Sequence, residues 1–160
     1  MKEIKLETSF IVFDDLNELS KNDKALFLES KKARDNAYAP YSKFQVGAAL
    51  LLDNNKIVTG NNQENAAYPS GMCAERVAIW NASSQYPNIK ILKIFITAKS
   101  TIKAVTEPVS PCGACRQTIA EYEVNQNTGI ELFFMGETGK IIKSNSIKDL
   151  LPLAFDKNLL

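Results

Sequence analysis

Polar and apolar residues recur along this chain with two periods, one typical of helices and one typical of strands. Over residues 16–38 the apolar positions, among them Leu26 and Ala33, return at helical spacing, which predicts a long amphipathic helix ended by Pro40. Three shorter helices are predicted at residues 73–84, 112–123 and 146–151.

Short apolar runs predict the strands between these helices. Residues 44–53 and 56–60 flank a turn of Asp and Asn residues, so they are predicted to form a hairpin. Further strands are predicted at residues 89–98, 130–135 and 141–143. A β-prone stretch at residues 9–13 is interpreted as part of an N-terminal arm or as an edge strand.

The order of these elements is a helix, a hairpin, and then helices alternating with strands. That order predicts an α/β fold with one mixed sheet between helices on both faces. No repeat, low-complexity tract or linker interrupts the chain. We therefore expect one domain over residues 1–160, with residues 1–15 as its N-terminal arm.

The composition narrows the kinds of partner that this chain can have. Its net charge is +1 and 23% of its residues are charged, which provides no basic footprint for DNA, RNA or an anionic membrane. The N-terminal residues carry charges where a signal peptide needs an apolar stretch, and no apolar run is long enough to span a bilayer. We expect a soluble, cytoplasmic protein that acts on a small molecule, without nucleic-acid or membrane partners.

The candidate chemistry lies in the cysteines, of which there are three, in a chain without histidine. An odd number argues against a self-contained disulfide framework. Cys73, Cys112 and Cys115 stand in two segments that begin predicted helices, where the positive end of the helix dipole favours thiolates. Cys112 and Cys115 are one helical turn apart and share a face. Three converging thiolates indicate a zinc site.

Three protein ligands leave the fourth position of zinc open to water, as in catalytic rather than structural sites. Glu75, two residues after Cys73, can accept a proton from that water and pass it to a substrate. Three thiolates also carry excess negative charge, which an arginine offsets by donating to sulfur. Arg76 and Arg116 each follow a cysteine directly or closely, and Arg76 is the favoured candidate.

These motifs extend into a wider resemblance. A metal ligand followed two residues later by Glu, and then by Pro-Cys-x-x-Cys, is the signature of zinc deaminases in its three-cysteine variant. The chain resembles the small homotetrameric cytidine deaminases over residues 36–155. The segments that carry the likeness are APYSKFQVGAA (39–49), NQENAAYP (62–69), CAER (73–76), SPCGACRQ (110–117) and LLPLAF (150–155).

The resemblance implies a five-stranded mixed sheet and the hydrolytic deamination of cytidine and 2′-deoxycytidine in pyrimidine salvage. In that family a zinc-bound hydroxide attacks C4 of cytosine, and the glutamate matching Glu75 shuttles protons. The implied substrate contacts are Asn62 and Glu64 to the ribose, Phe44 to the nucleoside, the backbone near Ala74 and Ser110 to the base and the departing ammonia, and Phe155 and Tyr68 to a neighbouring subunit's site.

Two other functions fit part of the pattern. Deaminases of cytosine-containing antibiotics such as blasticidin S share the three-cysteine site, but they lack the Asn-x-Glu-Asn segment found here at Asn62 to Asn65. A purely structural zinc in a binding protein is the other alternative, and it has no need of Glu75. Polynucleotide editing is disfavoured because the chain shows no basic binding channel.

Overall fold

The computed structural model describes all 160 residues as three α-helices and six strands, joined by loops and short 3₁₀ turns. The helices are Lys21–Asp35 (α1), Ala74–Gln85 (α2) and Gly113–Gln126 (α3). The strands are Ile11–Phe13 (β1), Phe44–Leu52 (β2), Ile57–Asn61 (β3), Ile91–Ser100 (β4), Glu131–Met135 (β5) and Ile141–Ser144 (β6). None of the helices has the length and apolar character needed to cross a bilayer.

All six strands form one mixed sheet in the order β1-β6-β5-β4-β2-β3. Only β4 and β5 run parallel, and α3 lies between them in the chain as the crossover that a parallel pair requires. The prediction of five strands is therefore wrong, because the sheet has six. The extra strand is β1, which pairs antiparallel with β6 through Ile11–Lys143, Val12–Ile142 and Phe13–Ile141.

The two faces of the sheet carry separate layers, as the α/β prediction requires. Because neighbouring side chains of a strand point to opposite faces, alternate residues enter different cores. Leu50, Ile94 and Leu132 pack under α2 and α3, whereas Ala49, Phe95 and Phe133 pack with the apolar face of α1. The three-layer α/β/α arrangement is confirmed.

Two predicted helices are shorter than their sequence pattern indicates. The first begins at Lys21 rather than Leu16, because the Ser20 hydroxyl caps it by accepting the Asp23 backbone N–H. It ends at Asp35, before Pro40, and the chain leaves it to form a β-bridge with the loop after β3. The predicted helix at 146–151 is a single 3₁₀ turn, Ile147–Asp149.

A glycine brings α2 close to the sheet at the point where the functional residues converge. A Cβ at Gly60 on β3 would overlap the backbone of α2 at Ala74 and Ala78, so only glycine allows this approach. The start of α2 therefore lies beside the end of β3. The following loop is paired with the residue before Cys73, because Gln63 and Met72 exchange backbone hydrogen bonds of 2.9 and 2.8 Å.

Candidate metal centre

The three cysteines, far apart in the chain, meet at one point in the fold. Their sulfurs all lie within 4.8 Å of one another, with 3.8 Å between Cys73 and Cys112 and 3.5 Å between Cys112 and Cys115. Zinc–sulfur bonds of about 2.3 Å at tetrahedral angles separate the sulfurs by about 3.8 Å. The donor set and its spacing therefore fit a zinc ion held by these three residues.

Two helix starts aim these sulfurs at one another, as the sequence predicts. Cys73 is the N-cap of α2 and Cys112 the N-cap of α3, and Cys115 follows in the first turn of α3. Hydrogen bonds from Cys115 and then Arg76 lower the pKa of the Cys73 thiol to about 5, while the contact with Cys73 and burial raise the pKa of Cys115. Three sulfurs this close cannot all ionise without a cation, which is what a metal would supply.

The two candidate arginines have different hydrogen-bond partners. Arg76 Nη2 donates to Cys73 Sγ at 3.5 Å, and the thiol sulfurs raise the pKa of its guanidinium. Arg116 donates instead to three oxygens, Pro111 O, Leu150 O and Ser110 Oγ. Of the two, only Arg76 is placed to offset the charge of the cluster.

Glu75 is the one carboxyl group at this cluster. It stands in the first turn of α2, is buried to 5% exposure, and lines the cavity described below. Burial is the main cause that raises the pKa of Glu75, and the neighbouring Cys73 sulfur adds to that effect. A buried carboxyl group between a metal-ligand cluster and a cavity is suited to carry a proton between a water and a bound molecule.

A cavity of about 830 Å³ opens over the cluster, large enough for a nucleoside. It brings together most of the side chains that the sequence singles out. Among its lining residues are Phe44, Asn62, Glu64, Tyr68, Cys73, Ala74, Glu75, Arg76, Ser110 and Cys112. The Ser110 hydroxyl accepts from Arg116 at 3.1 Å, and the backbone N–H of Ala74 is at the open first turn of α2.

Asn62 bridges two backbone groups of β2. Its Oδ1 accepts from Val46 N at 2.8 Å, and its Nδ2 donates to Phe44 O at 2.9 Å. An amide side chain has two donors and two acceptor positions, so one of each remains for a ligand. The same bridge fixes Phe44 at the cavity wall.

Glu64 also binds backbone groups close to the cavity. Its Oε2 accepts from the backbone N–H groups of Tyr41 at 2.8 Å and Ser42 at 3.2 Å, and neither of these backbone groups uses Oε1. Hydrogen bonds from the Ser42 side chain and from these N–H groups hold the pKa of Glu64 below its usual value. The carboxylate is thus ionised, oriented and open to a hydroxyl donor at the cavity.

Two predicted site residues lie outside the cavity lining. Cys115 is fully buried behind Cys112, as a metal ligand can be. Phe155 is 57% exposed, and its carbonyl oxygen accepts from Gln117 Nε2 at 2.7 Å. The exposed ring of Phe155 does not enter the cavity of its own chain.

The sequence interpretation missed several apolar residues of the cavity lining. Among them are Val46, Ile96 and Val109. For Val46 a signal was present, because it stands two positions after Phe44 on β2 and therefore faces the same side. No comparable signal exists for Ile96 or Val109, which come from segments that pair or pack only in the folded chain.

Comparison with known proteins decides the family. A family model described as the cytidine and deoxycytidylate deaminase zinc-binding region matches residues 20–128. The chain belongs to the cytidine and deoxycytidylate deaminase family. The match to a zinc-binding region, together with the three-cysteine cluster, confirms the predicted Zn²⁺ cofactor.

Individual relatives span nearly the whole fold. A cytidine deaminase of Sporosarcina psychrophila is 44% identical over 132 residues, 82% of this chain and 90% of the relative. The crystal structure of cytidine deaminase from Burkholderia pseudomallei superposes with a TM-score of 0.72 at 35% identity, covering 86% of this chain and 100% of that one. A blasticidin-S deaminase of Bacillus cereus is more distant, at 29% identity over 73% of this chain and 81% of the relative.

Proposed function

We propose that this deaminase converts cytidine and 2′-deoxycytidine, with water, into uridine and 2′-deoxyuridine plus ammonia, as a step of pyrimidine salvage. The observation that carries the proposal is the buried Glu75, set between the three-thiol cluster and a nucleoside-sized cavity. Cytidine deaminases among the relatives support the choice of substrate.

The proposed chemistry is divided between the metal and Glu75. The zinc would be held by Cys73, Cys112 and Cys115, and it would supply a Lewis acid that activates water. Glu75 would take one proton of the water and give it to N3 of the cytosine, and would then carry the second proton to the amine, which leaves as ammonia. Arg76, hydrogen-bonded to Cys73, offsets the excess charge of the three thiolates.

The cavity walls supply the proposed substrate contacts. The Glu64 carboxylate and the unused amide positions of Asn62 bind ribose hydroxyls, and the Phe44 ring packs on the nucleoside. The backbone N–H of Ala74 and the backbone at Ser110 hold the base and the leaving ammonia. These contacts favour a nucleoside over blasticidin S, whose deaminase is also the more distant relative.

The deciding experiment compares Glu75→Gln with the unchanged enzyme. The purified proteins are mixed with cytidine, the ultraviolet change on forming uridine is followed, and bound zinc is measured. Glu75→Gln should keep stoichiometric zinc and lose at least about 100-fold in kcat, because a general acid–base group of this kind contributes that much. Glu121→Gln, on the exposed side of α3, is the matched control and should keep full activity.

Three results would contradict this scheme. Full activity in Glu75→Gln would remove Glu75 from the mechanism. An unchanged enzyme that binds zinc but leaves cytidine intact would favour the structural alternative. Protein without stoichiometric zinc would exclude the ligand set.

We further propose that the chain acts as one cytoplasmic domain in a homotetramer, with Phe155 and Tyr68 reaching a neighbouring subunit's site. Both rings are exposed at positions that the family resemblance assigns to such contacts, with Tyr68 at 81% exposure. The nearly neutral charge supports a small-molecule substrate without nucleic-acid or membrane partners. Cell fractionation tests the location, and enzyme recovered in the membrane or extracellular fraction would refute it.

A further inference from the structure

Three side chains in the N-terminal part of α2 form a row in which each contacts the next. Cys73, Arg76 and Trp80 are spaced by three and four residues, so they lie one above the other along the helix. Arg76 Nη2 donates to Cys73 Sγ at 3.5 Å. The guanidinium carbon of Arg76 lies 5.9 Å from the centre of the Trp80 ring, within the range of a cation–π contact.

Little else restrains Arg76. Its Nε is buried without a hydrogen-bond partner, and no carboxylate forms an ion pair with its guanidinium. The hydrogen bond found for its guanidinium is the one to Cys73 Sγ. A long, flexible side chain with one such anchor keeps other rotamers that expose its charge to water.

We propose that Trp80 is a positioning residue, whose indole holds the Arg76 guanidinium against Cys73 and so tunes the three-thiol cluster. This inference rests on the proposed function, since it deepens the role of Arg76 at the zinc site. Trp80 is neither one of the three cysteines nor one of the residues that line the cavity, so it acts through Arg76. Trp80 is 44% exposed, so its replacement removes little buried packing.

Trp80 would influence the metal site through the hydrogen bond between Arg76 and the Cys73 sulfur. A hydrogen bond to a thiolate withdraws electron density from it, which leaves the metal more electrophilic and its ligand set less overcharged. If the ring is removed, the guanidinium gains rotamers that no longer reach Cys73. The thiolate then donates more charge to the metal, and water activation weakens.

The first experiment measures kcat and KM for cytidine with the zinc enzyme and its Trp80→Phe and Trp80→Ala variants. Trp80→Ala should lower kcat about 3- to 10-fold with little change in KM, the range expected for a cation–π contact acting through a residue next to a metal ligand. Trp80→Phe keeps an aromatic face and should retain most of the activity. Equal losses in both variants would overturn the proposal.

A double-substitution cycle separates positioning from a merely structural role. Arg76→Ala removes the group through which Trp80 acts, so adding Trp80→Ala to it should lower kcat no further. Additive losses would show that Trp80 acts by another route and would overturn the proposal.

Cobalt replacing zinc gives a readout that does not depend on turnover. Loss of a hydrogen bond to sulfur makes the thiolate a better donor, so the sulfur-to-cobalt charge-transfer band of Trp80→Ala should move to longer wavelength, as in Arg76→Ala. Trp80→Phe should keep the band of the unchanged protein. Identical bands in all four proteins would overturn the proposal. If no preparation deaminates cytidine, the proposed function fails, while the cobalt bands still decide the role of Trp80.

Discussion

At the scale of single residues, Arg116 joins three segments of the chain with one guanidinium. Its Nε donates to Pro111 O at 2.8 Å, Nη1 to Leu150 O at 3.0 Å and Nη2 to Ser110 Oγ at 3.1 Å. The rigid fork of an arginine can satisfy three acceptors in fixed directions, which a lysine ammonium on a flexible stem cannot. Arg116 therefore connects the loop before α3 to the C-terminal segment.

Arg116→Lys should lower the free energy of unfolding by about 1–3 kcal/mol, because at least one half-buried acceptor loses its charged donor. It should also raise KM, since Ser110 lines the cavity and would no longer be held. Urea unfolding and steady-state kinetics measure the two effects. Lys31→Arg on the exposed side of α1 is the control, with a change below about 0.5 kcal/mol. Unchanged stability and KM in Arg116→Lys would show that these hydrogen bonds contribute nothing.

The convergence of the three cysteines could be predicted from the sequence, because residue type and spacing decide it. The meeting of Cys73 with Cys112 and Cys115 follows from thiol chemistry and two helix starts, without knowledge of the sheet. The hydrogen bonds of Asn62 and Glu64 to the backbone could not be predicted in this way. Their partners on β2 and before it lie 16 to 23 positions away in the chain. Only the folded backbone brings those N–H and C=O groups within reach.

At the scale of elements, the sequence pattern predicts the three α-helices and the central strands well, and the N-terminal strand and the helix at residues 146–151 poorly. The strand β1 has three residues, two of them exposed, so its alternation is too short to distinguish an edge strand from an arm. Its pairing with β6 depends on a partner more than a hundred positions away. The overlong prediction for α1 has a local cause, since apolar Leu16 and Leu19 continue the helical spacing across the capping Ser20.

A chain of ion pairs links four elements on the α1 side of the sheet. Lys93 of β4 lies 2.7 Å from Asp23 of α1 and 3.0 Å from Glu131 of β5, and Lys143 of β6 also pairs with Glu131. Both lysines lie over the ring of Phe133. Burial raises the pKa of Glu131, but hydrogen bonds from Lys143 and Lys93 outweigh it, so the folded pKa is below its ordinary value of 4.5.

This network makes stability depend on pH in a defined direction. A carboxyl group whose pKa is depressed by folding contributes stability above its unfolded pKa, and the contribution is lost as pH falls through its folded pKa. Glu131→Gln should therefore lower the free energy of unfolding by about 1 kcal/mol at pH 7 and by little or nothing at the acid end. Urea unfolding between pH 7 and pH 3 measures this convergence, with the exposed Glu137→Gln as control. A constant difference across that range would contradict the role of Glu131.

At the scale of the whole molecule, the sequence predicts one mixed sheet between two helical layers, and the family comparison agrees. The oligomeric state cannot be predicted in the same way, because the exposed surfaces of one chain do not show which of them contact another subunit. Phe155 shows the difficulty. Its backbone is held to α3 by Gln117 while its ring stays outside the cavity of its own chain, and sequence pattern alone would place such a ring in the core.

A ring held outside its own cavity is what a site shared between subunits requires. Phe155→Ala should raise KM for cytidine several-fold without releasing zinc, because an aromatic contact is worth about 0.5–1.5 kcal/mol beyond its buried area. The exposed Leu159→Ala is the control in the same tail. Size-exclusion chromatography with light scattering should report a tetramer for the unchanged protein, and a fully active monomer would refute a shared site.

Mixed assemblies give the sharper test of that sharing. Glu75→Gln subunits should have almost no activity but carry an intact Phe155, whereas Phe155→Ala subunits have an intact Glu75 and lack the ring. When the two are co-assembled, a Phe155→Ala site beside a Glu75→Gln neighbour contains both groups, so part of the activity should appear with the original low KM. If each site instead uses its own Phe155, every active site in the mixture lacks the ring, and only the high KM of Phe155→Ala will be measured.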